Sequence, residues 1–140
     1  ISDAVKRLGD RLAGAAAPDF GDDTGRYPND GECDDRRFVG QGMAQSFSWK
    51  EAGRDASDCR HLHSRGLLRL WVLDEARAAT DCSRLDFGND VGEYVNDGEC
   101  DDPRFEGVGV ASGLTRDNVG QDATDCRRLC GWGMIFLRDY

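Results

Sequence analysis

The feature that most constrains this chain is a cysteine-centred acidic segment that occurs twice. Residues 27–38 read YPNDGECDDRRF, and residues 94–105 read YVNDGECDDPRF. A shift of 67 residues aligns 19–62 with 86–129 without a gap, and 25 of the 44 aligned positions are identical. Because internal repeats set the organisation of a chain, the sequence predicts two copies of one unit behind an N-terminal extension.

The cysteines form an even set of six without a C-x-x-C pair. The closest two are separated by three residues, a spacing that disfavours a zinc ribbon or a thioredoxin-like dithiol. In a small chain that is poor in core residues, an even count favours disulfides and therefore an oxidising compartment. We thus expect a protein that is secreted, periplasmic or on the cell surface. The set is Cys33, Cys59, Cys82, Cys100, Cys126 and Cys130.

The predicted fold class is a small disulfide-rich α+β protein with two loop-rich repeat units, short helices and short strands. The 18 glycines indicate many turns and few long regular elements. Hydrophobic periodicity adds an amphipathic N-terminal helix, which packs on the rest of the protein or docks on a partner. The predicted boundaries are 1–18 for this helix, 19–73 for the first unit, 74–85 for a connector and 86–140 for the second unit.

Local patterns predict the elements inside each unit. The stretch QSFSWKEAG, residues 45–53, is interpreted as a short helix. A second helix is expected to have Ser57 or Asp58 as its N-cap and to end at Gly66. The apolar runs at 67–73 and 134–137 are predicted strands, which could pair with each other.

Charge excludes two classes of partner. The net charge is −9, whereas phosphate binding needs clustered Lys and Arg, so nucleic acid and anionic membrane surfaces are disfavoured. No apolar stretch approaches the roughly 20 residues that a membrane span requires. The acidity belongs to the repeats, since 19–62 carries a net −4 and 86–129 a net −7.

The repeated acids have the pattern of a loop that binds a hard cation. The segment DGECDD places carboxylates at alternate positions beside a glycine, and the motif D-x-x-D-C supplies two more before the next cysteine. Carboxylates held close together repel unless they are protonated or neutralised. Oxygen ligands in a flexible loop suit Ca²⁺, whereas Mg²⁺ keeps its waters and Zn²⁺ prefers N and S. The predicted ligands are Asp30, Glu32, Asp34, Asp35, Asp55, Asp58, Asp97, Glu99, Asp101, Asp102, Asp122 and Asp125, with about one Ca²⁺ per unit. The alternative is solvated loop acids and helix caps.

The order D-G-x-C-D followed by D-x-x-D-C resembles the second half of Lin-12/Notch repeats, which are extracellular modules that bind Ca²⁺. This chain lacks four of that family's cysteines and has a longer spacing between the motifs. The unit is also similar to NDGECDDPRF…DATDC segments of bacterial exported proteins. The Lin-12/Notch resemblance implies the disulfides Cys33–Cys59 and Cys100–Cys126, which leaves Cys82 to pair with Cys130. It also implies six of the predicted ligands: Asp34, Asp55, Asp58, Asp101, Asp122 and Asp125.

An enzymatic site is not the favoured interpretation. The only histidines, His61 and His63, correspond to Arg128 and Cys130 in the second copy, and they are expected on an exposed helix surface rather than on a transition metal. We therefore expect no catalytic residues and a structural or interaction role, including a self-assembling filament or surface subunit. The alternatives are an accessory module of a larger exported enzyme and a small carboxylate-based hydrolase. The expected partner is a second copy or another exported protein.

Aromatic residues are expected mainly inside the protein. Tyr and Phe at the two ends of each repeated segment are predicted to pack around the loops, and core packing is preferred to a ligand-binding surface for the tryptophans. These residues are Tyr27, Phe38, Tyr94, Phe105, Trp49, Trp71 and Trp132.

Overall fold

The computed structural model describes residues 18–140, so the predicted N-terminal helix lies outside the described residues. In the described part the protein is a small disulfide-rich α+β fold with three α-helices and several short strands. Two compact units are present, and the second takes one segment from the middle of the chain. Unit 1 contains the described part of Ile1–Ala44 and Lys50–Leu70, and unit 2 contains Gln45–Trp49 and Trp71–Tyr140.

In unit 1 the chain folds as short strands against one helix. Strand β1 is Cys33–Asp35, β2 is Phe38–Val39, β3 begins at Met43 and runs to Ser48, and β4 is Arg69–Leu70. Strands β2 and β4 pair antiparallel, with Phe38 opposite Leu70. Helix α1, Ala56–Ser64, contacts β1.

Unit 2 repeats part of this plan and adds a helix. Strands β5, Phe105–Gly107, and β7, Ile135–Leu137, pair antiparallel, and β6, Gly113–Thr115, pairs with residues 46–48 of β3. Helix α2, Leu73–Ala79, packs on β7 through the fully buried Ala76. Helix α3 is Ala123–Gly131. None of the helices within residues 18–140 has the length and apolarity needed to span a membrane.

Several local predictions need correction. The stretch predicted as a helix at 45–53 begins as strand β3 and ends in a short 3₁₀ turn, Trp49–Glu51, because tertiary pairing overrides weak helix propensity. The predicted strand at 67–73 is only two residues long, and Leu73 starts a helix instead. The two predicted strands do not pair with each other: each pairs antiparallel with the Phe-containing strand of its own unit.

The helix that ends near Gly66 is confirmed, but its predicted N-cap is wrong. Asp55 precedes the helix, and the carboxylate of the distant Asp23 accepts hydrogen bonds from the Ser57 backbone N–H at 2.9 Å and from its hydroxyl at 2.6 Å. Gly66 has φ +74°, a left-handed conformation that glycine adopts without strain at a helix end, and its N–H donates to His63 O.

Each unit has a small aromatic core, and only the phenylalanines of the predicted set belong to it. Phe20 stacks on Phe38 with ring centroids 5.4 Å apart, and Phe87 stacks on Phe105 at 5.5 Å. Packing around the loops is therefore confirmed for Phe38 and Phe105. It is wrong for the exposed Tyr27 and Tyr94, and core packing is likewise wrong for the exposed Trp49 and Trp132, whereas Trp71 is half-buried and donates from Nε1 to Leu137 O.

Candidate metal sites

Three disulfides link the six cysteines. Cys33 is bonded to Cys59 and Cys100 to Cys126, which are the pairs that the Lin-12/Notch resemblance implied, and Cys82 is bonded to Cys130. In unit 1 the bond joins β1 to the second turn of α1. Because Asp55 lies four residues before Cys59, the disulfide brings the start of the helix to the acids of the strand.

In unit 1 three predicted ligands come together. One carboxylate oxygen each of Asp30, Asp34 and Asp55 lies within 4.8 Å of the other two, and we call this set the first metal cluster. The backbone N–H of Asp34 donates to Asp55 Oδ2 at 2.9 Å, which fixes the second acid beside the first. Asp30 is exposed, whereas Asp34 and Asp55 are 5% and 2% exposed. The cluster thus has a buried floor and an open edge.

The buried floor contains carboxylate oxygens without hydrogen-bond partners. Among the described residues, Asp34 Oδ2 and Asp55 Oδ1 have no hydrogen-bond partner. Burial raises the pKa of Asp34 to about 6 and that of Asp55 to about 8, and neighbouring carboxylates add to both shifts. A buried polar atom without a partner is costly, so these oxygens mark a place that a cation would stabilise.

Unit 2 contains the equivalent set, which we call the second metal cluster. One carboxylate oxygen each of Asp97, Asp101 and Asp122 lies within 4.8 Å of the other two, and Asp101 N donates to Asp122 Oδ2 at 2.8 Å. In the described chain Asp101 Oδ2 and Asp122 Oδ1 lack partners. Burial raises the pKa of Asp101 to about 7 and that of Asp122 to about 6. The two clusters therefore contain aspartates at the same three repeat positions and the same two buried oxygens without partners.

Asp35 lies outside the first cluster. Its carboxylate accepts hydrogen bonds from Arg37 Nε and Nη2, the latter at 2.7 Å, and from the Gly53 backbone N–H at 2.7 Å. Asp102 accepts the same bonds from Arg104 and from Gly120 N. We call each Asp–Arg–Gly set an arginine clamp. Gly53 and Gly120 lie two residues before the cluster residues Asp55 and Asp122. Asp35 and Asp102 therefore help to position the clusters by holding these glycines.

Asp58 and Asp125 hold the acidic loops through their backbone. Asp58 accepts hydrogen bonds from the N–H groups of Asp30 and Gly31 at 2.9 and 3.2 Å, and Asp125 accepts one from Asp97 N at 3.0 Å. Gly31 has φ +83° and lies in this turn. Neither aspartate belongs to a metal cluster.

Glu32 and Glu99 belong to neither cluster. Both side chains are exposed, and each backbone N–H donates to the carboxylate of the aspartate two residues earlier at 3.0 Å. Of the twelve predicted ligands, the structure therefore brings together six, three in each unit.

Sequence reasoning missed the arginines and one buried acid. Arg37 and Arg104 follow each CDD triplet at the same distance, and this retention in both copies was a signal of a shared role. Glu51 is only 9% exposed, and its Oε2 accepts a hydrogen bond from Arg26 N at 3.1 Å. Nothing in the local pattern marked Glu51, since its counterpart in the second copy is Asn118.

The H-x-H pair does not form a metal site in the described residues. His63 packs edge-on against Phe20 and Phe38, with ring centroids at 5.5 and 6.3 Å, while His61 is exposed on α1.

Scans of this chain against protein-family models, curated proteins and solved structures each found no match. In both units, acidic clusters are present that could hold a metal ion.

Proposed function

We propose that each metal cluster binds one Ca²⁺ ion and that the protein is an exported, disulfide-stapled calcium-binding protein in which the ions have a structural role. The observation that carries this proposal is the pair of buried carboxylate oxygens without partners in each cluster. A divalent cation removes both their desolvation penalty and their mutual repulsion.

The donor set suits calcium and disfavours zinc. Ca²⁺–oxygen distances are about 2.3–2.6 Å, so two ligands on opposite sides of one ion lie roughly 4.6–5.2 Å apart. The oxygens of each cluster fit within this span, since they lie within 4.8 Å of one another. Zn²⁺ is disfavoured because all six cysteines are in disulfides and no histidine joins the clusters of the described chain. Water or a partner's oxygens complete the shell at the open edge.

A structural ion in each unit would fix the acidic loop to the start of the following helix. Partner contacts then fall to the exposed surface, where Tyr27 and Tyr94 are 53% and 54% exposed at equivalent positions and Trp132 is 67% exposed. A second copy remains the partner that we expect from the repeated sequence. Light scattering with and without Ca²⁺ tests this expectation, and a mass that stays monomeric in both conditions contradicts it.

Calcium titration by calorimetry, together with elemental analysis, tests the proposed function. We expect two ions per chain and a fall in melting temperature in EDTA of roughly 10–20 °C, from about 2.7 kcal/mol of binding stabilisation per ion at a hundredfold excess over Kd.

The matched control is the double variant Asp55→Asn/Asp122→Asn, which removes one buried charge from each cluster and keeps the side-chain shape. Its melting temperature should not respond to EDTA. A wild-type protein that binds no Ca²⁺ at millimolar concentration overturns the proposal.

A further inference from the structure

We infer that the two clusters are inequivalent and that the first binds Ca²⁺ more tightly than the second, so the ions bind in order and the second site is the one that responds to changing calcium. This inference rests on the proposed function. It follows from three differences between groups at equivalent positions in the two copies.

The first difference is how firmly each acidic loop is held before a metal arrives. Asp58 uses both oxygens to accept hydrogen bonds from consecutive backbone N–H groups, those of Asp30 and Gly31. Asp125 makes only the first of these bonds, and its Oδ1 is buried without a hydrogen-bond partner in the described chain. A loop that is already ordered has less conformational entropy to lose on binding, so the first site is better organised for the ion.

The second difference is a buried carboxylate beside the first cluster. Glu51 is 9% exposed, and its backbone O accepts a hydrogen bond at 3.1 Å from the N–H of Arg54, the residue before Asp55. The neutral Asn118 occupies the same place in unit 2: its Oδ1 faces Gly92 as Glu51 Oε2 faces Gly25. The first site therefore gains an additional buried negative charge that attracts a divalent cation.

The third difference is a cation near the second cluster. Arg128 Nη1 lies 4.0 Å from Asp125 Oδ1, whereas the first copy has His61 at the equivalent position. The guanidinium is half exposed, so water and salt weaken its repulsion of Ca²⁺. This effect is the smallest of the three and acts in the same direction.

The net charges of the aligned segments, −4 for 19–62 and −7 for 86–129, oppose this order. Part of the difference comes from exposed residues such as Glu93, which stands where the first copy has Arg26. Exposed charges more than about 8 Å from the ion are largely screened at physiological ionic strength. Buried groups are screened much less. The buried Arg36, which stands where the second copy has Pro103, opposes the order, and we expect the ordered loop and Glu51 to outweigh it.

Two single-site proteins measure the two affinities separately. Asp122→Asn leaves only the first site and Asp55→Asn leaves only the second, and chelator competition gives Kd for each. We expect the first site to bind on the order of tenfold more tightly, from one additional hydrogen bond to the loop and one additional buried charge. Reciprocal exchange of the flanking residue sharpens the test: Glu51→Asn should weaken the first site several-fold, and Asn118→Glu should strengthen the second.

A measurement on the unmodified protein guards against variants that misfold. In a calcium titration followed by amide NMR, the Gly31 and Gly98 resonances report the two loops, and Gly31 should reach its end point first. Equal affinities, or a second site that fills first, overturn the inference while two bound ions leave the proposed function standing. Absence of any bound Ca²⁺ in the wild-type protein overturns both.

Discussion

Asp34 and Asp35 are neighbours in the same buried strand, yet their side chains have opposite surroundings. Asp35 is fully buried and its carboxylate is neutralised by Arg37, while Asp34 is 5% exposed and has an oxygen without a partner in the described chain. Successive residues of a strand point to opposite faces, so one aspartate meets the arginine clamp and the other the metal cluster. Residue type and burial alone therefore do not identify a candidate ligand. What distinguishes the two aspartates is the group that each carboxylate meets on its own face of the strand.

In the metal-free protein, the largest expected effect comes from the clamp. Asp35→Asn removes the charge that Arg37 and Gly53 N bind, and we expect a loss of about 2–3 kcal/mol in the free energy of unfolding, both with Ca²⁺ and with EDTA. Urea denaturation in the two conditions measures it. Arg37→Lys is the control, since it keeps the cation but loses the bidentate geometry and should cost less. An unchanged midpoint in EDTA would refute the structural role of the clamp.

Substitution of the neighbouring residue should have the opposite sign in metal-free protein. Asp34→Asn removes a buried charge without a partner, so in EDTA at pH 8 the variant should be as stable as the wild type or more stable. In Ca²⁺ it should lose the stabilisation that the first ion supplies, about 2.7 kcal/mol at a hundredfold excess over Kd. Calorimetric melting in both buffers measures the two effects. Destabilisation in EDTA equal to that of Asp35→Asn would remove the distinction between the two faces.

The pH dependence of the metal-free protein should sharpen the comparison further. Burial raises the pKa of Asp34 to about 6 and that of Asp55 to about 8 in the folded state, above the ordinary value of 3.8. The folded state therefore binds protons that the unfolded state has released, and this contribution to stability is complete below about pH 4. It is lost as the pH rises through 6 to 8.

We accordingly expect the melting temperature in EDTA to fall between pH 5 and pH 8.5. The same range in excess Ca²⁺ should show the reverse trend, because protons compete with the ion. A quadruple variant with Asn at Asp34, Asp55, Asp101 and Asp122 should show a flatter dependence of melting temperature on pH in EDTA. A wild-type profile that rises with pH in EDTA contradicts the assignment of the raised pKa values.

The smallest expected effect is at a predicted ligand that the structure leaves in solvent. Glu32→Gln should change the calcium affinity less than about threefold and the free energy of unfolding by no more than about 0.5 kcal/mol, since exposed charges are well screened. Calorimetric titration beside Asp34→Asn compares two acids of one loop. A loss of binding similar to that of Asp34→Asn would return Glu32 to the ligand set.

The cysteine and aspartate pattern predicted much of the site, and local propensity predicted less of the fold. The Lin-12/Notch resemblance implied the disulfides Cys33–Cys59 and Cys100–Cys126, and six of the twelve proposed ligands come together because the motifs fix which acids lie beside each cysteine. Strand β3 was missed because its polar–apolar alternation, Ser46 to Trp49, is only four residues long and its partner β6 lies far along the sequence. Glu51 was missed because the second copy has Asn118 at the equivalent position, so this acid is not part of the repeated pattern.

The sequence by itself determined the repeated acidic segments, the even cysteine set and the surplus of carboxylates, because these depend on composition and on spacing along the chain. Only the tertiary structure decided which carboxylates have an internal cation and which have none. That choice depends on the face of a strand and on groups that are remote in sequence, such as Gly53 and Asp55. A pattern of acids shows that charge must be neutralised, and the fold decides which acids an arginine neutralises and which form the clusters that we propose to bind a metal ion.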